Sequence, residues 1–166
     1  MAPSDQDEQS TPAGPRALSG AGRGATAAAL SFVLAPTWAS ASIARERVEA
    51  WLHALHWPGG KADDLVLAVS EAVSNSVEHG YLVALYTVDA VGRIDVDAEL
   101  TAGPTANTRQ VVVTVRDGGL WRERDGRDDR HRGHGLQIMR NVSATTSVTT
   151  GPEGTTVVLV SRPVPA

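Results

Sequence analysis

The apolar positions change period partway along the chain, and that change outlines the fold. Leu30 to Leu34 is a short apolar run closed by Pro36, whose missing N–H ends a strand, so it reads as the first strand. From about Ala39 to His56, Ile43, Val48, Trp51, Leu52 and Leu55 recur at helical spacing, with Arg45, Glu46 and Glu49 on the other side. Ser40 or Ser42 is suited to cap this helix, and Pro58-Gly59-Gly60 to end it. A second helix is predicted from about Ala62 to Glu78, with Leu65, Val69, Val73 and Val77 as its apolar stripe and Gly80 as its stop.

Beyond Gly80 the period shortens to two. Tyr81–Thr87 and Arg93–Leu100 are expected as strands, the latter alternating Ile94, Val96, Ala98 and Leu100. After a turn-rich connection, the β-branched run Gln110–Arg116 is expected as a central strand. Leu120–Arg132 is densely charged and almost without apolar residues, which excludes a packed element. Gly135–Val142 reads as a short helix, and Ser143–Thr150 and Thr155–Val160 as two strands around the turn Gly151-Pro152-Glu153-Gly154. These elements assemble as an α+β two-layer sandwich, with a mixed, mostly antiparallel sheet covered on one face by helices.

Composition narrows this outline. Residues 1–27 are rich in proline, glycine and small polar residues and are expected to form a disordered tail, leaving residues 28–162 as one domain. A net charge of -4 provides no field favouring nucleic acid, so no direct nucleic-acid partner is expected. The absence of cysteine removes disulfides and thiolate metal sites and suits a reducing, cytoplasmic setting. No apolar run reaches the roughly 20 residues that a membrane helix needs. Arg16, Arg23, the apolar run Ala25–Ala35 and Ala39-Ser40-Ala41 together resemble a signal peptide, but Asp5, Asp7 and Glu8 make the leader acidic and cleavage would come late, so the run is read as core strand. Lys61 is the only lysine; Leu55 stands where a P-loop needs its first glycine and Ala62 where it needs Ser or Thr, which excludes a Walker-type ATPase.

Glu71, Asn75 and Glu78 fall at i, i+4 and i+7 of the second helix, on the face opposite the valines. A side-chain amide oxygen is a hard, neutral ligand suited to magnesium, and a carboxylate one turn earlier can deprotonate a hydroxyl or a water. An ordinary exposed helix face shows the same spacing. Asp117-Gly118-Gly119 follows the β-branched run; its carboxylate can accept the exocyclic amine of adenine, and the glycines permit close backbone approach. A plain Asp-Gly turn is the alternative. Gly133-His134-Gly135-Leu136 opens the late helix, where backbone N–H groups can face an anion.

The string Glu71-Ala72-Val73-Ser74-Asn75-Ser76-Val77-Glu78-His79-Gly80-Tyr81 closely resembles the N-box of the GHKL superfamily (gyrase, histidine kinases and mismatch-repair ATPases), in the form found in anti-sigma-factor serine kinases. Asp117-Gly118-Gly119 resembles the family's D-x-G-x-G segment, with Trp121 replacing the second glycine. Gly133–Leu136 resembles its second glycine box, Leu120–Arg132 its ATP lid, and Gly154-Thr155-Thr156 its final G-T element. The resemblance spans about Leu30 to Val160 and implies the Bergerat ATP-binding fold. It implies that Asn75 holds Mg2+ against the triphosphate of ATP, that Glu71 is the catalytic base, and that Asp117 reads adenine with Thr155 in support. It places Gly119, Gly133, His134, Gly135 and Leu136 around the nucleotide. Its functional implication is a homodimeric serine kinase that phosphorylates a STAS-like anti-anti-sigma factor and sequesters a sigma factor. Asp117-Gly-Gly-Leu-Trp also resembles domains attached to regulatory phosphatases, so a nucleotide-binding regulatory module is the second reading. A histidine-kinase catalytic domain is disfavoured, because no second hairpin helix precedes the N-box.

Overall fold

The computed structural model of the chain describes residues 28–80, 92–119 and 133–166. The expected tail, the strand at 81–87 and the charged segment at 120–132 lie outside the described residues. Six strands form one sheet: β1 (Ala29–Leu34), β2 (Ile94–Ala102), β3 (Thr108–Asp117), β4 (Thr145–Gly151), β5 (Gly154–Val160) and β6 (Val164–Pro165). Their order is β1-β2-β3-β5-β4, with β6 also pairing with β3. Every pairing among the described residues is antiparallel. The helices are α1 (Ser40–Ala54), α2 (Gly59–Asn75) and α3 (Gly133–Val142).

Strand periodicity decides which side of the sheet is dry. Leu30, Phe32 and Leu34 of β1, Ile94, Val96 and Ala98 of β2, Val111, Val113 and Val115 of β3, and Val157 and Leu159 of β5 are all buried. Against them pack Val48, Trp51 and Leu52 of α1, the stripe Leu65, Val69 and Val73 of α2 with Val77 just beyond it, and Met139 of α3. The opposite face keeps polar pairs: Ser31 Oγ donates to Asp97 Oδ1 at 2.5 Å, and Arg116 meets Asp97 Oδ2 at 2.8 Å. The predicted central strand, β3, lies between β2 and β5.

Several local expectations are corrected. Ile43 is 38% exposed, and the core position beside it is taken by Ala44, which keeps the i, i+4 step to Val48 and Leu52. The residue before α1 is Ala39, which makes no side-chain cap. Ser40 instead ties the β1–α1 turn from inside, bonding Ala35 O and lying 3.0 Å from Thr37 Oγ1. Gly59 and Gly60 do not end α1. They begin α2 behind Pro58, whose carbonyl accepts from the N–H groups of Lys61 and Ala62 at 2.9 and 2.8 Å. Pairing also continues past residue 162, since β6 adds to β3 through Arg109 and Val164.

Arg109 joins the layers at the end of β3 remote from Asp117. It donates to Leu55 O at 3.1 Å and His56 O at 3.3 Å, and its guanidinium lies 5.1 Å from the centroid of the Trp57 ring. A cation at the negative end of α1, stacked on an aromatic face, is doubly favoured.

Candidate functional site

The far end of α2 is where its two faces part company. Val69, Val73 and Val77 point into the core, while Glu71 and Asn75 are half-buried on the other side and Glu78 is exposed. After Asn75 the helix widens into a π turn over Ser76–Gly80. Single π turns within α-helices occur frequently at functional sites, because they re-aim side chains without ending the helix.

Opposite this end, α3 starts with Gly133, earlier than expected, so that Gly133, His134 and Gly135 already lie in its first turn. Gly135 faces α2 directly. A Cβ added there would sit 3.0 Å from Glu71 Oε2, 3.4 Å from Asn75 Oδ1 and 3.5 Å from Asn75 Nδ2. The carboxylate, the amide and the helix N-terminus therefore converge on one small space that only a glycine leaves open. Leu136 is half-buried against the core, and His134 is exposed.

Asp117 closes β3 on the helical side of the sheet and is only 6% exposed. Its Oδ2 accepts from Ser76 Oγ at 2.7 Å, and its Oδ1 from the Gly119 N–H at 3.1 Å. The backbone of Thr155, which faces Asp117 across the β3–β5 ladder, donates as well. Burial raises the Asp117 pKa above the ordinary carboxyl value, and the bonds from Ser76, Gly119 and Thr155 each pull it part of the way back. Gly154 makes this packing possible. Its φ is +117°, and a Cβ there would lie 1.9 Å from Asp117 O.

Two groups of predicted residues thus assemble separately: Glu71, Asn75 and Gly135 in one, and Asp117, Gly119 and Thr155 in the other. Ser76 links them, because it follows Asn75 in the chain and bonds Asp117. Ser76 was absent from the expected site. The signal available in the sequence was a polar residue one step past Asn75, flanked by the core residues Val73 and Val77. Trp121 and the lid arginines lie outside the described residues.

Over residues 34–161 the sequence matches the family model of the histidine kinase-like ATPase domain. Among solved structures, the chain is similar to the RsbU and RsbW domains of Rv1364c from Mycobacterium tuberculosis, at 26% identity and a TM-score of 0.60. That match covers 83% of this chain and 33% of the other, so the chain spans about a third of the length of its neighbour. The histidine kinase domain of the Erythrobacter litoralis EL346 blue-light activated histidine kinase matches at 24% identity and a TM-score of 0.40, over 61% of this chain and 44% of that one.

Proposed function

The chain belongs to the histidine kinase-like ATPase domain family, and from that premise we propose that it is a cytoplasmic, Mg-ATP-dependent serine kinase and anti-sigma factor. Its substrate is a STAS-like anti-anti-sigma protein, its second partner is a sigma factor, and it works as a homodimer. The observation that carries this reading is the convergence of Glu71 and Asn75 on the space in front of Gly135. The likeness to a solved chain containing an RsbW domain supports it, as does the N-box string from Glu71 to Tyr81.

The residues present fit Mg-ATP. The space before Gly135 is one that a methyl group would fill, and it lies at the start of a helix, where N–H groups and the helix dipole favour phosphate. Asn75 offers an amide oxygen to Mg2+. A magnesium ion held there would complete its shell with phosphate oxygens and water, as this cation prefers. Asp117 is the acceptor for the adenine amine, with Gly119 and Thr155 holding it. Bound Mg-ATP supplies the phosphoryl group. Glu71 would take the proton of the substrate serine as its oxygen bonded to the γ-phosphorus and the bond to the β-phosphate oxygen broke, ADP being the leaving group, and the rest of the rate would come from positioning. No helix of the described residues is long and apolar enough to cross a membrane.

Calorimetric titration with ATP, with and without Mg2+, tests the site, and transfer of labelled phosphate from ATP to a STAS-like protein tests the activity. Magnesium-dependent binding with transfer to a serine is the expected result. Binding with no transfer would leave a regulatory nucleotide module, and no binding at all would refute the assignment.

A further inference from the structure

Asp117 offers little of itself to a ligand. An ionised carboxylate has about four lone-pair positions. Here the Ser76 hydroxyl takes one and the Gly119 N–H another, and the Thr155 backbone lies against the same group. What is left free belongs to a group that is almost wholly buried. What meets it must be a donor. The 6-amino group of adenine is one, whereas the 6-oxygen of hypoxanthine or guanine would bring an acceptor against an acceptor.

The protein groups around the carboxylate are not equivalent. Gly119 follows Asp117 in its own chain segment, and Thr155 lies across the ladder, so both are fixed by the sheet. Ser76 approaches from the helical layer and is itself only 4% exposed. Its hydroxyl has one proton and two acceptors in reach, Asp117 Oδ2 at 2.7 Å and Ala72 O at 3.2 Å. The shorter contact goes to the charged partner, the stronger of the two kinds of bond. The terminal torsion of an aspartate is broad, so the backbone donors alone leave the carboxylate free to turn and to present either edge to a ligand.

We infer that Ser76 is the positioning residue for base selectivity: by holding Oδ2 from the helical layer, it keeps the free edge of the Asp117 carboxylate aimed at the 6-position of the purine. This rests on the proposed role of Asp117 as the purine reader. The residue that ligates magnesium and the residue that sets the base selector are then neighbours where α2 passes into the π turn, so one helix end registers both ends of the nucleotide.

The test uses the full chain and compares ATP with ITP, which differ at the 6-position and in the proton that accompanies the 6-oxygen on N1, each titrated with Mg2+ into wild type, Ser76→Ala, Ser76→Cys and Asp117→Asn. Loosening of the site in general weakens both nucleotides alike, so the readout is the ratio of their dissociation constants. Wild type favours ATP. Ser76→Ala lowers that preference about tenfold, the worth of a hydrogen bond to a charged group. Ser76→Cys, similar in size with a weaker donor, falls between, and it serves alone if the alanine variant does not fold. A preference within twofold of wild type in both serine variants overturns the inference. Asp117→Asn separates the two levels. If it abolishes the preference while the serine variants keep it, only the role of Ser76 falls; if it too keeps the wild-type preference, the reading of Asp117 falls and this inference with it.

Discussion

Gly135→Ala should make the protein more stable and at the same time weaken its hold on a nucleotide. Gly135 lies in the first turn of α3 and does not have a left-handed φ, so alanine fits its backbone without strain. Replacing glycine by alanine within a helix is worth about 0.5–1 kcal/mol, partly because the unfolded chain loses freedom. Against this stands one tight contact, the new Cβ at 3.0 Å from Glu71 Oε2. That oxygen is the end of a long, half-buried side chain that can swing outward by the few tenths of an ångström required, while the Asn75 amide at 3.4 and 3.5 Å is at ordinary contact. The balance is favourable, and for a domain of this size the melting temperature should rise by about 1–4 °C. The same methyl occupies the space assigned to phosphate and magnesium. Losing one charge-assisted bond of about 1.5–3 kcal/mol weakens ATP binding at least tenfold. Thermal melts without nucleotide and calorimetry with Mg-ATP measure the two effects separately. ATP affinity within twofold of wild type would refute the placement of the phosphates between α2 and α3.

Glu71→Ala should bind Mg-ATP with near wild-type affinity yet lose phosphotransfer, whereas Asn75→Ala loses both; transfer by Glu71→Ala at the wild-type rate would remove the base assignment. Gly154→Ala forces a Cβ onto the Asp117 carbonyl at a left-handed φ, so it should destabilise the fold by about 3 kcal/mol or more and fail to bind ATP; a melt and a titration of the purified variant check both. The pH dependence has a definite sign. Because burial raises the Asp117 pKa, the folded state holds that proton more tightly than the unfolded chain, and the associated stability is complete below the unfolded value of about 3.9 and lost as pH rises through the folded one. Asp117→Asn lacks this titration, so denaturant unfolding of both proteins should show wild type losing ground relative to the variant as pH climbs through that window; a gap moving the other way contradicts it.

How much of this was readable beforehand follows from what each element depends on. The stripe Leu65, Val69, Val73 and Val77 and the alternation Ile94, Val96, Ala98 are set by burial periodicity, which sequence displays directly, and the layers follow from them. Local signals of chain direction were less informative. Gly59-Gly60 reads equally well as the stop of one helix or the start of the next, and only the carbonyl of Pro58 accepting from Lys61 and Ala62 decides between them. Ser40 has the chemistry of a cap, yet its hydroxyl is drawn inward to Ala35 O, a partner set by how the turn folds back. In the site, Glu71 and Asn75 stand out by spacing on a single helix. Their nearness to Gly135, some sixty residues away, is a tertiary fact that only the motif order foreshadowed. Ser76 was invisible for the same reason: its partner lies 41 residues on, across the layer boundary.

The placement of the polar groups explains how a 166-residue chain can keep a deep anionic site without weakening its core. An unpaired carboxylate at the position of Asp117, on the dry side of the sheet, would carry a heavy desolvation penalty. It is tolerable because it sits at the last residue of β3, where the strand pairing ends, a glycine turn supplies an N–H, and a π turn brings a hydroxyl from the facing helix. Two residues further back on the same face, Val115 is buried in the hydrophobic core. At Asp117 it is the element end that lets charge and core adjoin. The C-terminal end of α2, the C-terminal end of β3 and the N-terminal end of α3 all meet there, which is why the proposed nucleotide, with a donor at one end and phosphates at the other, suits that region.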